Sequence, residues 1–254
     1  MSKAETHTHD RQAQAAIRAR LQGLSTGVVW DVLRVMGLPH QALSSAISGL
    51  EPSMALCGPA FCIKGQTWLG ELPKADPDAP KPKYEIFNHM YDGCILVIDS
   101  GQYTEAVLMG ENFAISAVGA GCAGFVLDGA TRDAQGLVDR KIPVFKSFVT
   151  PASSAGRWSI TDFEVPISLS GQTSASVPVY PGDFVLADRD GVVIIPWQYA
   201  SQVADDAKRV DDIEEIQRKE LLEGTDNRQT VYERYNRFSH IKPVEPPYRL
   251  AKPE

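Results

Sequence analysis

Two short runs constrain this chain most, Cys94-Ile-Leu-Val-Ile-Asp99 and Gly124-Phe-Val-Leu-Asp128. Each is apolar on consecutive residues and bounded by turn-forming or charged ones, the pattern of a strand buried on both faces. Helices are expected around them, one through His89 and one from about Thr104 to Val118. Helix and strand therefore alternate here, which places the chain in the α/β class, with a β-rich core covered by helices.

The flanking sequence extends this pattern. Gln14-Ala-Ala-Ile-Arg-Ala-Arg-Leu and Val28-Val-Trp-Asp-Val-Leu show helical spacing, with Ser25-Thr26 between them as an N-cap. The stretch 55–65 reads as a strand kinked at Gly58-Pro59, tolerable at an edge or at a change of direction. Four prolines between residues 72 and 83 mark a loop or surface insertion. Further strands are expected at 142–148, 164–169, 176–179, 184–187 and 192–195, the last two joined by the hairpin turn Asp188-Arg-Asp-Gly191. Beyond Pro196, Val203, Ala207, Val210, Ile213 and Ile216 recur at three- and four-residue intervals up to Gly224, an amphipathic helix with a glycine stop. Pro243, Pro246, Pro247 and Pro253 keep the tail from continuing that helix, so it is expected to run extended over a surface. The resulting division is an extension over 1–20, a core over 21–200, a helical region over 201–235 and a proline-rich tail over 236–254.

A net charge of −7 without any Lys/Arg cluster argues against a nucleic-acid partner, which needs a basic stripe to displace phosphate counterions. A small anion can still bind where a metal, an arginine or aligned N–H groups act at close range. Cys57, Cys62, Cys94 and Cys122 form no C-x-x-C pair and lie in apolar stretches, so they are expected as free core thiols. No stretch approaches the ~18 apolar residues of a membrane span, and the polar N-terminus lacks a signal-peptide core. A cytoplasmic protein without a membrane partner is expected.

Gly119-Ala-Gly-Cys-Ala-Gly124 spells a dinucleotide fingerprint but ends a helix and opens a strand, the reverse of what a pyrophosphate site requires. Glu111 and the pair Arg132-Asp133, twenty residues apart, carry more. If residues 124–128 form a buried strand, the six residues from Asp128 to Asp133 form the loop at its carboxyl end, where open α/β sheets present ligand groups. A carboxylate beside a guanidinium there offers a ligand for a hard cation and a fixed cationic donor, although taken alone such a pair is also an ordinary surface feature. Lys64 and Lys146 could form a Schiff base only if buried. His89 has no second histidine at ligand spacing and reads as a surface or packing residue, and Asp211-Asp-Ile-Glu-Glu215 reads first as a solvated helix face.

Over about residues 20 to 235 the chain resembles the class II 4-hydroxy-4-methyl-2-oxoglutarate and 4-carboxy-4-hydroxy-2-oxoadipate aldolases and their RraA-like relatives. The marks are Glu111, then Asp128-Gly-Ala-Thr-Arg-Asp133, Ile142-Pro-Val-Phe145, Thr150-Pro151, Pro181-Gly-Asp-Phe-Val-Leu-Ala-Asp188 and Asp190-Gly-Val-Val-Ile-Ile-Pro196. The resemblance implies a swivelling, phosphohistidine-domain-like α/β/β fold and assembly as a trimer or hexamer. It also implies a lyase that splits a 4-hydroxy-2-oxo acid or diacid into pyruvate and a second oxo acid, with oxaloacetate decarboxylation through the same enolate. It assigns Mg²⁺ or Mn²⁺ to Asp133, the keto oxygen to Arg132, and the substrate carboxylate to the main chain at Gly110, Asn112 and Phe113. Glu111 is implied to orient water or relay a proton, and Glu214 or Glu215 to assist from a neighbouring subunit. The alternative is a non-catalytic RraA-like regulator that binds an RNA-degrading enzyme.

Overall fold

The computed structural model describes residues 10–67, 85–224 and 226–247. The proline-rich stretch at 72–83 and Pro253 lie outside them. Helices α1 (Arg11–Leu21) and α2 (Thr26–Val35) lead into β1 (Ser48–Gly49), β2 (Leu56–Thr67), β3 (Ile95–Asp99) and β4 (Val107–Met109). Next come α3 (Glu111–Gly119), β5 (Gly124–Thr131), α4 (Ala134–Asp139) and β6 (Val144–Val149). Strands β7 (Trp158–Phe163), β8 (Ile167–Ser170), β9 (Ser176–Val179), β10 (Phe184–Asp188) and β11 (Gly191–Ile195) precede α5 (Trp197–Glu223) and α6 (Arg228–Arg234).

The main sheet runs β1-β6-β5-β3-β2-β10-β11, with β4 added to β5 and β7 to β2. Strands β2, β3, β5 and β6 are mutually parallel, and β10, β11 and β7 are antiparallel to their neighbours. Alternation along the central strands sends side chains into two separate cores. Phe61, Ile63, Leu96, Ile98, Phe125 and Leu127 pack with Ala114 and Ala117 of α3. Cys62, Ile95, Val97 and Val126 face the other way, onto Ile167, Leu169, Val177 and Val179 of the β8–β9 ribbon. The layers are thus helix, sheet and ribbon. Burial on both faces explains why β3 and β5 are continuous apolar runs.

A third cluster joins α1, α2 and α5 to β10 and β11 through Ile17, Leu21, Val29, Leu33, Val203, Ala207 and Val210. Ser25 caps α2 by accepting the Val28 N–H, and Gly224 closes α5 in the left-handed region at φ 63°. The described tail residues, 236–247, form no helix, and Phe238, Ile241 and Val244 pack onto this cluster.

Four expectations change. The helix expected through His89 is only a 3-10 turn over Ile86–Asn88, with His89 just past its end. Residues 104–118 do not form one helix: Val107-Leu-Met109 is a buried strand, and the helix starts only after Gly110. Strand β5 continues past Asp128 to Thr131, because β4 pairs with it there and Gly129 leaves room for the Leu108 side chain, which an added Cβ would approach to 2.6 Å. Asp128 to Thr131 is therefore strand, and the loop is reduced to Arg132 and Asp133. Pro59 sits in an interior strand, tolerated because β2 changes neighbours at that point. Residues 56–59 pair with β10, and pairing with β3 begins at Ala60.

Candidate functional site

Strands β4 and β5 are parallel neighbours, with Met109 opposite Thr131. Gly110 and Arg132 therefore leave the sheet side by side at its carboxyl end, where open α/β sheets place their ligands. The Met109 carbonyl accepts both the Arg132 N–H at 3.3 Å and the Thr131 hydroxyl at 3.2 Å, which fixes the two exits together. The spacing between Glu111 and Arg132 is thus one helix and one strand of a β–α–β crossover.

Asp133 stands in the left-handed region (φ 58°, ψ 36°), a conformation aspartate tolerates better than most residues but one that still marks a constrained position. It occupies the N-cap of α4 without capping it. Its Oδ2 instead accepts the N–H of Glu111, the first residue of α3, at 3.1 Å. Arg132 Nε lies 3.6 Å from the same oxygen. Gly110 makes the approach possible, since a Cβ there would come within 2.6 Å of Asp133 Oδ2 and 3.2 Å of Arg132 Nε.

The first intrahelical bond of α3 runs from Ala114 N–H to Gly110 carbonyl. The N–H groups of Asn112 and Phe113 consequently have no acceptor within the helix and are available to an anion. Glu111 turns its carboxylate toward α4, where Arg140 Nε donates to Oε1 at 2.7 Å. A cavity of about 180 Å³ opens beside this group, lined by Met109, Gly110, Phe113, Arg132, Ser153, Ser154 and Trp158. Its volume equals about six waters, small for an organic ligand.

Arg132, Asp133, Gly110, Glu111, Asn112 and Phe113 therefore come together within one chain. Glu214 and Glu215 do not join them. They lie on α5, which packs on α1, α2 and α6, and both pair with Arg218 while Glu214 also meets Arg237. Lys146 donates to Ser48 and its pKa is lowered by burial, but it stands on β6 outside the cavity lining, as Lys64 does on β2. The His89 ring packs 5.0 Å from Phe163, and all four cysteines are buried and free. Asp128, Asp183 and Asp188 accept structural hydrogen bonds from Ser170, from the Tyr180 and Trp197 N–H groups, and from Thr26. Arg140, Ser153, Ser154 and Trp158 escaped the sequence reading. Only the loop signal of Pro151-Ala-Ser-Ser154 after a strand pointed toward them.

No group of three or more His, Cys, Asp or Glu residues suited to a metal exists among the described residues. Asp133 Oδ1 has no hydrogen-bond partner among them. One free carboxylate oxygen fits a hard cation that keeps several waters and takes further oxygens from a ligand, as Mg²⁺ and Mn²⁺ do, and does not fit zinc.

A helix N-terminus, a guanidinium and an unpaired carboxylate oxygen thus meet at the ends of adjacent parallel strands of an α/β protein. The chain belongs to the RraA-like family, described as Aldolase/RraA, whose sequence model matches residues 26–194. A Halalkalibacterium halodurans protein with the provisional name 4-hydroxy-4-methyl-2-oxoglutarate aldolase is 31% identical over 202 residues, covering 78% of this chain and 85% of that protein. The Thermus thermophilus 4-hydroxy-4-methyl-2-oxoglutarate aldolase is 36% identical over 104 residues, 41% of this chain and 60% of that protein, so the match spans about three-fifths of that relative's length. In fold, the chain is similar to Streptomyces coelicolor RraAS2, described as an unusual member of the RNase ES inhibitor RraA protein family. The TM-score is 0.67 at 23% identity, over 80% of this chain and 97% of that one.

Proposed function

We propose that this chain is a divalent-metal-dependent lyase that cleaves a small 4-hydroxy-2-oxo acid to pyruvate and a second carbonyl compound. The observation that carries the reading is the meeting of the α3 N-terminus, Arg132 and Asp133 at the end of adjacent strands, where Gly110, Phe113 and Arg132 also line a small cavity. The N–H groups of Asn112 and Phe113 hold the substrate carboxylate. Arg132 donates to the 2-oxo oxygen. When the C4 hydroxyl loses its proton and the C3–C4 bond breaks, the bonding electrons pass into the pyruvate enolate and negative charge develops on that oxygen. A donor placed there lowers the barrier because it acts on charge that the ground state lacks.

Asp133 Oδ1 holds Mg²⁺ or Mn²⁺, which supplies Lewis-acid polarisation of the 2-oxo group when bound. Glu111, with Oε1 engaged by Arg140, keeps Oε2 to relay the proton from the C4 hydroxyl. Protonation of the enolate at C3 completes pyruvate. Loss of CO₂ from oxaloacetate gives the same enolate, so decarboxylation is a companion activity. Assembly as a trimer or hexamer, with Glu214 or Glu215 of one copy near the site of another, belongs to the same reading.

Pyruvate release from a series of 4-hydroxy-2-oxo acids, with Mg²⁺ and after chelation, tests the proposal. Metal-dependent release supports it. A metal-free protein that turns over and is trapped by borohydride on a lysine would make it a Schiff-base enzyme instead. The non-catalytic regulator gives no role to Asp133, and substitutions there would leave binding to an RNA-degrading enzyme unchanged.

A further inference from the structure

We infer that Cys94 and Cys122 form a redox site: a hydroperoxide joins them in a reversible disulfide that draws the C-terminal end of α3 onto β3 and slows the chemistry at the other end of that helix. The disulfide stands on its own geometry, and its effect on turnover rests on the lyase reading.

The four thiols are not alike. Cys57 and Cys62 lie in two different cores, whereas Cys94 and Cys122 share the third. The backbone puts these two opposite one another. Gly93 N–H donates to the Gly121 carbonyl and Ala123 N–H to the Cys94 carbonyl, each at 2.8 Å, just ahead of the parallel pairing of Ile95 with Gly124. Cys122 therefore sits across from Gly93 and Cys94, at the entry to the neighbouring strand β5. Adjacent strands lie about 4.8 Å apart, inside the roughly 4.4–6.8 Å that a disulfide spans between α-carbons. Gly121 makes the approach possible. It is left-handed at φ 103°, and an added Cβ would fall 2.9 Å from the Tyr91 carbonyl carbon.

Hydrogen bonding to the Cys122 thiol lowers the Cys94 pKa against the opposing effect of burial, whereas burial pushes Cys57 up to about 12 and raises Cys62 as well. Cys94 is thus the readier thiolate. Hydrogen peroxide is close to water in size, and Cys122 lies beneath a turn in which residues 120, 121 and 123 are half-buried, so local opening there admits it. The Cys94 sulfur attacks the peroxide, forming an S–O bond as the O–O bond breaks and one water leaves. The Cys122 sulfur then displaces the sulfenic oxygen, forming the S–S bond and releasing a second water. Two thiols give up two electrons and two protons, and the peroxide takes them. Cys122 also closes the end of α3, its N–H donating to the Ala117 carbonyl at 3.0 Å. Bonded sulfurs stand only about 2 Å apart, so the disulfide pulls this turn toward β3, and the nine residues of α3 carry the shift to the Asn112 and Phe113 N–H groups.

The full chain treated with hydrogen peroxide should fall from four titratable thiols to two in denaturant, with 94 and 122 cross-linked in the peptide map and dithiothreitol restoring all four. Mg²⁺-dependent pyruvate release should drop about tenfold on oxidation and return on reduction, the scale of a sub-ångström misplacement of the binding groups. Cys122→Ala should form no cross-link and keep its rate under peroxide. Four thiols after treatment, or oxidation confined to Cys57 or Cys62, overturns the redox site. A 94–122 disulfide that leaves turnover unchanged overturns the coupling through α3. A reduced protein that releases no pyruvate counts against the lyase reading alone, and the peptide map still decides the disulfide.

Discussion

Arg140 donates to the Glu111 carboxylate at 2.7 Å across the bare face of Gly136, where an added Cβ would lie 2.4 Å from Glu111 Oε1. The absence of a side chain at 136 is what lets α3 and α4 share this ion pair. Alanine is normally the better helix former by about 1 kcal/mol. Gly136→Ala should therefore leave the melting temperature within a few degrees while it pushes Glu111 off Arg140. Turnover should fall on the order of tenfold. Unchanged kcat alongside unchanged melting would show that the placement of Glu111 is irrelevant to the chemistry.

Arg132→Lys keeps the charge and loses the planar fork. Turnover should fall on the order of 10²-fold, the scale of removing one preorganised oxyanion donor, with a milder effect on KM. Steady-state kinetics decide it, and an unaltered kcat with every cleavable substrate would reduce the arginine to a structural partner of Asp133.

Asp133→Asn retains an oxygen for the Glu111 N–H but loses the charge. Its activity should need far higher Mg²⁺ or Mn²⁺, with partial recovery at saturation, whereas wild type treated with chelator should recover fully on adding metal. Titration of activity against metal concentration reads the difference. Identical metal dependence in both proteins would remove Asp133 as the ligand.

Gly65→Ala drives a methyl group into the Trp158 ring. Overpacking of this kind costs about 1–3 kcal/mol, and displacement of Trp158 also deforms the cavity. Denaturant unfolding should show the loss, and KM should rise more than kcat falls. A variant as stable as wild type with normal KM would mean that the indole moves freely.

Glu164 gives a pH dependence of stability. Burial pushes its carboxyl up to about 7 from the ordinary 4.5, outweighing the Cys62 N–H that donates to it and the nearby Arg11. A carboxyl whose pKa is raised by folding favours the native state below its unfolded value, and that contribution is lost as pH rises through about 7. Wild type should therefore lose stability relative to Glu164→Gln between about pH 4.5 and 7, by on the order of 2 kcal/mol. Melting curves of both proteins at pH 5 and pH 8 test the sign. A gap that does not change with pH would mean the carboxylate stays ionised throughout.

Strands β3 and β5 were legible because burial on both faces leaves no polar residue to interrupt them. Strand β4 was not, since three apolar residues fit a helix equally well and only pairing with β5 decides. Strand β7 was missed because Ser159, Thr161 and Asp162 blur its alternation. At the site, Glu111 and Arg132-Asp133 stood out by type and spacing. Arg140 and Ser154 could not, because one depends on a missing Cβ at position 136 and the other on a turn that folds back across the sheet end. The left-handed backbone of Asp133 left no trace in the sequence at all.

Because Asp133 caps a helix other than its own, the positive pole of α3 already faces a resident anion before any ligand arrives. A second carboxylate arriving at Asn112 and Phe113 adds repulsion, and positive charge nearby relieves it. On the proposed reading, acid and cation would be thermodynamically linked, each raising the affinity of the other by the same factor. The two charged ligands would then bind best as a pair, and weakly when either comes alone.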